Sequence, residues 1–179
     1  MATPANPSVL VIMGVSGCGK STVAGVLAGR LGWELQEGDD LHPPANVAKM
    51  TAGEPLTDDD RWPWLDEVGR WIRAQTAAGR PGIVTCSALK RSYRDRLRGP
   101  GVVFVHLSGT REQLRERVSA RLGHFMPSSL LDSQLATLEP LESDEAGLEV
   151  MLGSHPQADA DQIIRELGLE EQVTLPGGS

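Results

Sequence analysis

The stretch Val9-Leu10-Val11-Ile12-Met13-Gly14-Val15-Ser16-Gly17-Cys18-Gly19-Lys20-Ser21-Thr22 decides the fold. An apolar run of strand length enters a glycine-rich turn, and the turn opens the periodic segment Lys20 to Leu31, closed by Gly32. Within the turn, Gly14, Gly19, Lys20 and Ser21 keep the spacing G-x-x-x-x-G-K-[ST]. Glycine lets the loop wrap an anion at backbone angles that a Cβ forbids. The loop N–H groups and the helix N-terminus then form a nest for phosphate. Gly14 to Thr22 is therefore read as a P-loop for ATP, with Lys20 on the β- and γ-phosphates and the Ser21 hydroxyl on Mg²⁺. Only backbone groups are needed at Cys18, which is read as a small filler.

Working outward, apolar runs alternate with longer amphipathic segments. Trp33 to Glu37, Ile83 to Ser87, Val102 to Leu107 and Leu148 to Leu152 read as further strands. Helices are expected at Ala45 to Ala52, Thr57 to about Ala78, Ala88 to Leu97, Arg111 to Leu122 and Asp159 to Leu167. Thr57 and Asp60 have the spacing of a capping box, with Asp in place of Glu. Trp64, Val68, Trp71 and Ile72 recur on one face of that helix and read as core. The alternation predicts one α/β domain over residues 9–173, a parallel sheet with helices on both faces and loose tails at 1–8 and 174–179.

The 179 residues suit a single domain, and the two cysteines suit a reducing, cytoplasmic setting without disulfides. No apolar run approaches a membrane span, and a net charge of −7 argues against nucleic acid as a partner.

In such a sheet the ligand lies beyond the carboxyl ends of the strands, where three segments converge. Glu37-Gly38-Asp39-Asp40-Leu41-His42 offers a carboxylate to take a hydroxyl proton or hold a water of the metal shell. Cys86-Ser87-Ala88-Leu89-Lys90-Arg91 lacks the metal-directed aspartate common at that position, leaving Ser21, the phosphates and Asp39 through a water for the metal. Arg117 and Arg121 share one helical face beside a Gly-containing turn, as lid arginines for the transferring phosphoryl group would. A solvated acidic turn and a helix end with favourable cations are the plainer readings.

Several longer motifs resemble the gluconokinase family. They are Gly38-Asp39-Asp40-Leu41-His42-Pro43, Gly53-Glu54-Pro55-Leu56-Thr57-Asp58-Asp59-Asp60-Arg61, Pro63-Trp64-Leu65, Cys86-Ser87-Ala88-Leu89-Lys90, Tyr93-Arg94 and Gly123-His124-Phe125-Met126. The resemblance runs from about Val9 to Pro140. It implies transfer of the ATP γ-phosphoryl group to the 6-hydroxyl of D-gluconate. The fold it implies is that of nucleoside-monophosphate kinases: a five-stranded parallel sheet with a mobile lid, here about residues 117–138, often dimeric.

Carried over by position, Asp39 orients or deprotonates the acceptor hydroxyl, with Asp40 as a competitor for that role. His42, Lys49, Arg61 and Arg91 grip gluconate, and His124 and Gln134 line the site. Gly153-Ser154-His155-Pro156 falls where this fold contacts adenine. Two rivals share the phosphate loop: a kinase for another small hydroxy-acid or a nucleotide, and a nucleotide-dependent binding module.

Overall fold

The computed structural model describes residues 7–15, 17–120, 128–153 and 155–173. Every residue of β1 (Val9–Met13) is buried, because the strand lies mid-sheet with neighbours on both edges. It pairs in parallel with β3 (Gly82–Thr85) and with β4 (Val102–Ser108). Outside these lie β2 (Glu34–Glu37) and β5 (Gly147–Met151), giving the order β2-β3-β1-β4-β5, all parallel.

Strand side chains alternate between faces, so the sheet has two cores. Leu10, Ile12, Ile83, Val103, Val105 and Leu107 pack with α1 (Lys20–Leu31) and α7 (Pro156–Glu166). Val9, Val11, Met13, Val84 and Phe104 face the other way, against Trp64, Leu65, Val68 and Ile72 of α3 (Asp58–Ala77) and Tyr93 of α4 (Arg91–Asp95). The apolar stripe of α3 is core, as its period suggests. Among the described residues no helix is long and apolar enough to cross a membrane.

The helix α3 starts with the full capping box. Asp60 N donates to Thr57 Oγ1 (3.2 Å) and Thr57 N donates to the Asp60 carboxylate (2.9 Å). Such a cap contributes about 1 kcal/mol. Lys49, on α2 (Pro44–Thr51), donates to the same carboxylate at 2.7 Å. The lysine and the capping bonds hold the Asp60 carboxyl down at about 2.

Some boundaries differ from the sequence reading. Ser8, placed in the loose tail, is bonded to the sheet: its N donates to Gly101 O and its O accepts from Gly82 N. The helix expected from Ala88 begins only at Arg91, because Ala88 holds a left-handed backbone (φ 45°) that interrupts it. An unforeseen helix α6 (Ser128–Thr137) follows α5 (Arg111–Ala120). Ser16, Arg121 and His124 lie outside the described residues, as do 1–6, 174–179 and part of the expected lid.

Candidate active site

The carboxyl ends of β1, β2 and β3 stand side by side, with Ile12 and Glu37 both in register with Thr85. The segments leaving these three strands therefore meet in one cleft. After β1 the loop turns into α1 through Gly19, in the left-handed region at φ 101°. A Cβ there would lie 3.1 Å from the Arg117 guanidinium. No side chain caps the N-terminus of α1, so its first N–H groups suit a phosphate. Lys20 Nζ donates to its own loop, to Gly14 O and Val15 O at 3.0 Å each. Cys18 and Cys86 are buried free thiols, and burial pushes the Cys86 thiol up to about 12.

The carboxylate beside Ser21 is Glu37. Its Oε2 accepts from Ser21 Oγ at 2.9 Å and from Thr85 Oγ1 at 2.6 Å. The sequence reading gives that place to Asp39, whose side chain is instead 92% exposed on the 3₁₀ turn Gly38–Leu41. Glu37 and Asp39 diverge because Gly38 pins the chain between them. Gly38 N donates to Thr85 Oγ1 (3.1 Å), and Gly38 O accepts from Trp64 Nε1 (2.8 Å). A Cβ at Gly38 would lie 1.9 Å from Thr85 O, a backbone atom that cannot step aside cheaply. Gly38→Ala is expected to cost about 3 kcal/mol of stability and to lower activity with it. Thermal melting and an ATP-turnover assay check both.

His42 closes the other side of Asp39. Its ring stacks on Trp64 (centroids 4.1 Å, interplanar 15°), and its Nε2 lies 3.9 Å from Asp39 Oδ1. Asn46 Nδ2 approaches Nδ1 at 3.2 Å, which assigns the ring proton to Nε2, facing Asp39. Burial lowers the imidazole pKa, so the ring is neutral at pH 7.

Arg61 and Lys90 flank the Tyr93 ring, with the charges 5.5 and 5.6 Å from its centroid. Asp58 lies between them, accepting from Lys90 Nζ (3.1 Å) and from the Tyr93 hydroxyl, with Arg61 at 3.7 Å. Arg61 NH1 also donates to Tyr93 Oη at 3.0 Å. Two cations against one carboxylate leave a single positive charge in this group. Hydrogen bonding to Asp58 raises the Lys90 pKa, and hydrogen bonds from Tyr93 and then Lys90 lower that of Asp58. Lys90 carries no assignment in the sequence reading. Its place after β3, opposite the start of α3, sets it against Asp58 and the Tyr93 ring.

The other assigned residues divide. Arg117 NH1 donates to Cys18 O (3.3 Å) and NH2 to Gly153 O (3.1 Å), joining α5 to the phosphate loop and to the loop after β5. Thr22 is on α1, Asp40 is exposed on the turn, and Gln134 lies on α6. Lys49 is held in the capping network of α3 rather than presented to an acceptor. Arg91 is likewise drawn away. Its guanidinium pairs with Asp144 (2.8 and 2.9 Å), Asp95 (3.0 Å), Glu145 (3.1 Å) and Glu142, and its acidic partners, Asp144 foremost, raise its pKa further. A guanidinium so saturated grips its own chain, whereas the neighbouring Lys90 stands with Arg61 at the Tyr93 ring.

Known proteins resemble this chain over most of its length. A family model described as an AAA domain matches residues 9–141. A gluconokinase of Gluconobacter oxydans (strain 621H) is 53% identical over 167 residues, covering 92% of this chain and 94% of the relative. The solved structure of a sugar kinase from Janibacter sp. HTCC2649 superposes with a TM-score of 0.86 at 48% identity, covering 94% of this chain and 99% of that one. That of a gluconokinase from Sinorhizobium meliloti 1021 gives 0.82 at 47%, covering 90% and 92%. With its phosphate loop on β1, its five-stranded parallel sheet and this likeness over nearly its whole length, the chain belongs to the gluconokinase family of P-loop kinases.

Proposed function

We propose that this protein transfers the γ-phosphoryl group of ATP to the 6-hydroxyl of D-gluconate, giving 6-phospho-D-gluconate and ADP. The observation that carries the reading is the Arg61–Tyr93–Lys90–Asp58 group with its one surplus positive charge. It suits an acceptor that brings one carboxylate and a row of hydroxyls. ATP lies along Gly14 to Thr22, and Lys20 exchanges the carbonyls of Gly14 and Val15 for phosphate oxygens. Asp39 takes the proton of the 6-hydroxyl as that oxygen bonds to the γ-phosphorus and the bond to the ADP oxygen breaks. His42 keeps Asp39 oriented, and Arg117 guards the nucleotide side.

The oxygen donors of Ser21 and Glu37 fit a hard cation such as Mg²⁺ at the foot of the loop. When bound, Mg²⁺ supplies charge neutralisation at the phosphates. A homodimer in the cytoplasm belongs to the same proposal, and light scattering checks the dimer.

The test is ADP release with ATP, Mg²⁺ and a panel of D-gluconate, D-glucose, D-glucuronate, shikimate and nucleoside monophosphates. D-gluconate is expected to stimulate release strongly, with the new phosphate on C6 by NMR. Release no greater than with buffer would overturn the reading. Stimulation by another acceptor alone would move it to that compound.

A further inference from the structure

The cleft is lined by Lys90, yet the residue that aims Lys90 is buried beneath it. Arg94 on α4 is 1% exposed. Its Nε donates to the buried carboxylate of Glu145 (2.9 Å), and its NH2 donates to Pro140 O (3.3 Å). NH1 donates to two successive carbonyls, Ala88 O (2.9 Å) and Leu89 O (3.2 Å). Those carbonyls belong to the turn between β3 and α4. Ala88, fully buried, is there the one non-glycine at positive φ among the described residues. A left-handed alanine persists only where its surroundings impose it. Here the imposing group is the guanidinium, which draws both carbonyls inward. Glu139 N, donating to Leu89 O at 2.7 Å, adds to it. With the turn so fixed, the next residue leaves in extended conformation (φ −100°, ψ 149°), and its ammonium meets Asp58 and the Tyr93 ring.

We infer that Arg94 is a positioning residue for the acceptor. The Arg94–Glu145 pair holds the Ala88–Leu89 turn in its left-handed form, so that Lys90 stands with Arg61 to receive the carboxylate of the acceptor. This rests on the proposed sugar-acid reading for its substrate, though not for its geometry. A charge that merely neutralised Glu145 would be replaceable by lysine. A fork holding three carbonyls and a carboxylate at once is not, since one ammonium cannot reach them all.

Two variants test it. Arg94→Lys keeps the charge opposite Glu145, and Arg94→Met combined with Glu145→Gln removes the buried pair together, leaving no lone charge. Both are expected to raise KM for D-gluconate by about tenfold or more while KM for ATP moves by less than about twofold. Recovery of the wild-type gluconate KM by Arg94→Lys would overturn the inference. So would a rise of both KM values in step with a lowered melting temperature.

A second measurement needs no acceptor. The chain has three lysines, Lys20, Lys49 and Lys90, so reductively ¹³C-methylated protein gives few signals. In the Arg94→Met/Glu145→Gln protein the Lys90 methyl titration is expected to fall toward the ordinary lysine value, with Lys49 unmoved. An unchanged Lys90 titration would sink the positioning role. If wild-type protein does not phosphorylate gluconate, the functional reading falls, and the Lys90 titration still decides this one.

Discussion

Lys20→Ala is expected to reduce turnover about a thousandfold, the scale of losing one charge aimed at a transferring phosphoryl group. The ammonium sits half-buried, bonded to Gly14 O and Val15 O. Those bonds hold the cation at the mouth of the loop, close to where phosphate oxygens must lie. Alanine removes the charge and returns two carbonyls to water, without opening a cavity in either core. The melting temperature should therefore change little while phosphoryl transfer collapses for every acceptor. Turnover within about tenfold of wild type would show that Lys20 is not the principal stabiliser of the developing charge.

Asp39→Asn is expected to lower kcat about a hundredfold or more, the range of a lost general base, with KM for ATP nearly unchanged. The substitution is close to isosteric on a side chain that is 92% exposed, so packing contributes almost nothing. What changes is the ability to accept a proton, since an amide oxygen is far too weak a base. The neutral ring of His42, with its Nε2 proton facing Asp39, cannot take over while Asn46 occupies Nδ1. Asp40→Asn is the comparator on the same turn and should leave kcat near normal. Near-normal kcat in Asp39→Asn, with loss in Asp40→Asn, would transfer the role to Asp40.

What the sequence makes legible is local. The phosphate loop is set by spacing within eight residues, and the capping box by Thr57 and Asp60, three apart; both are in the structure. Asp39 and His42 are legible through motif resemblance, and the fold puts them together because one short 3₁₀ turn carries Asp39 and ends on His42 as its cap. Glu37 stands out in the sequence only as part of a segment. Its place beside Ser21 depends on β3 lying between β2 and β1, a fact of topology with no local signature. The cations show the same limit. Lys49, Lys90, Arg91 and Arg94 are alike on paper, and only tertiary structure tells which carboxylate of the chain each one meets. The helix Ser128–Thr137 does carry a stripe, Leu131 and Leu135 on one face against the core, but it is too short to mark a helix by period alone. The start of α4 escapes because nothing in Ala88 announces a left-handed backbone.

The two thiols give the molecule a built-in clock. Cys18 lies sealed in the phosphate loop and Cys86 at the end of β3, where burial keeps it protonated far above neutral pH. Neither can react with an alkylating reagent until its segment opens. The rate of modification in intact protein therefore measures how often the nucleotide loop and its neighbouring strand end breathe, one label for each.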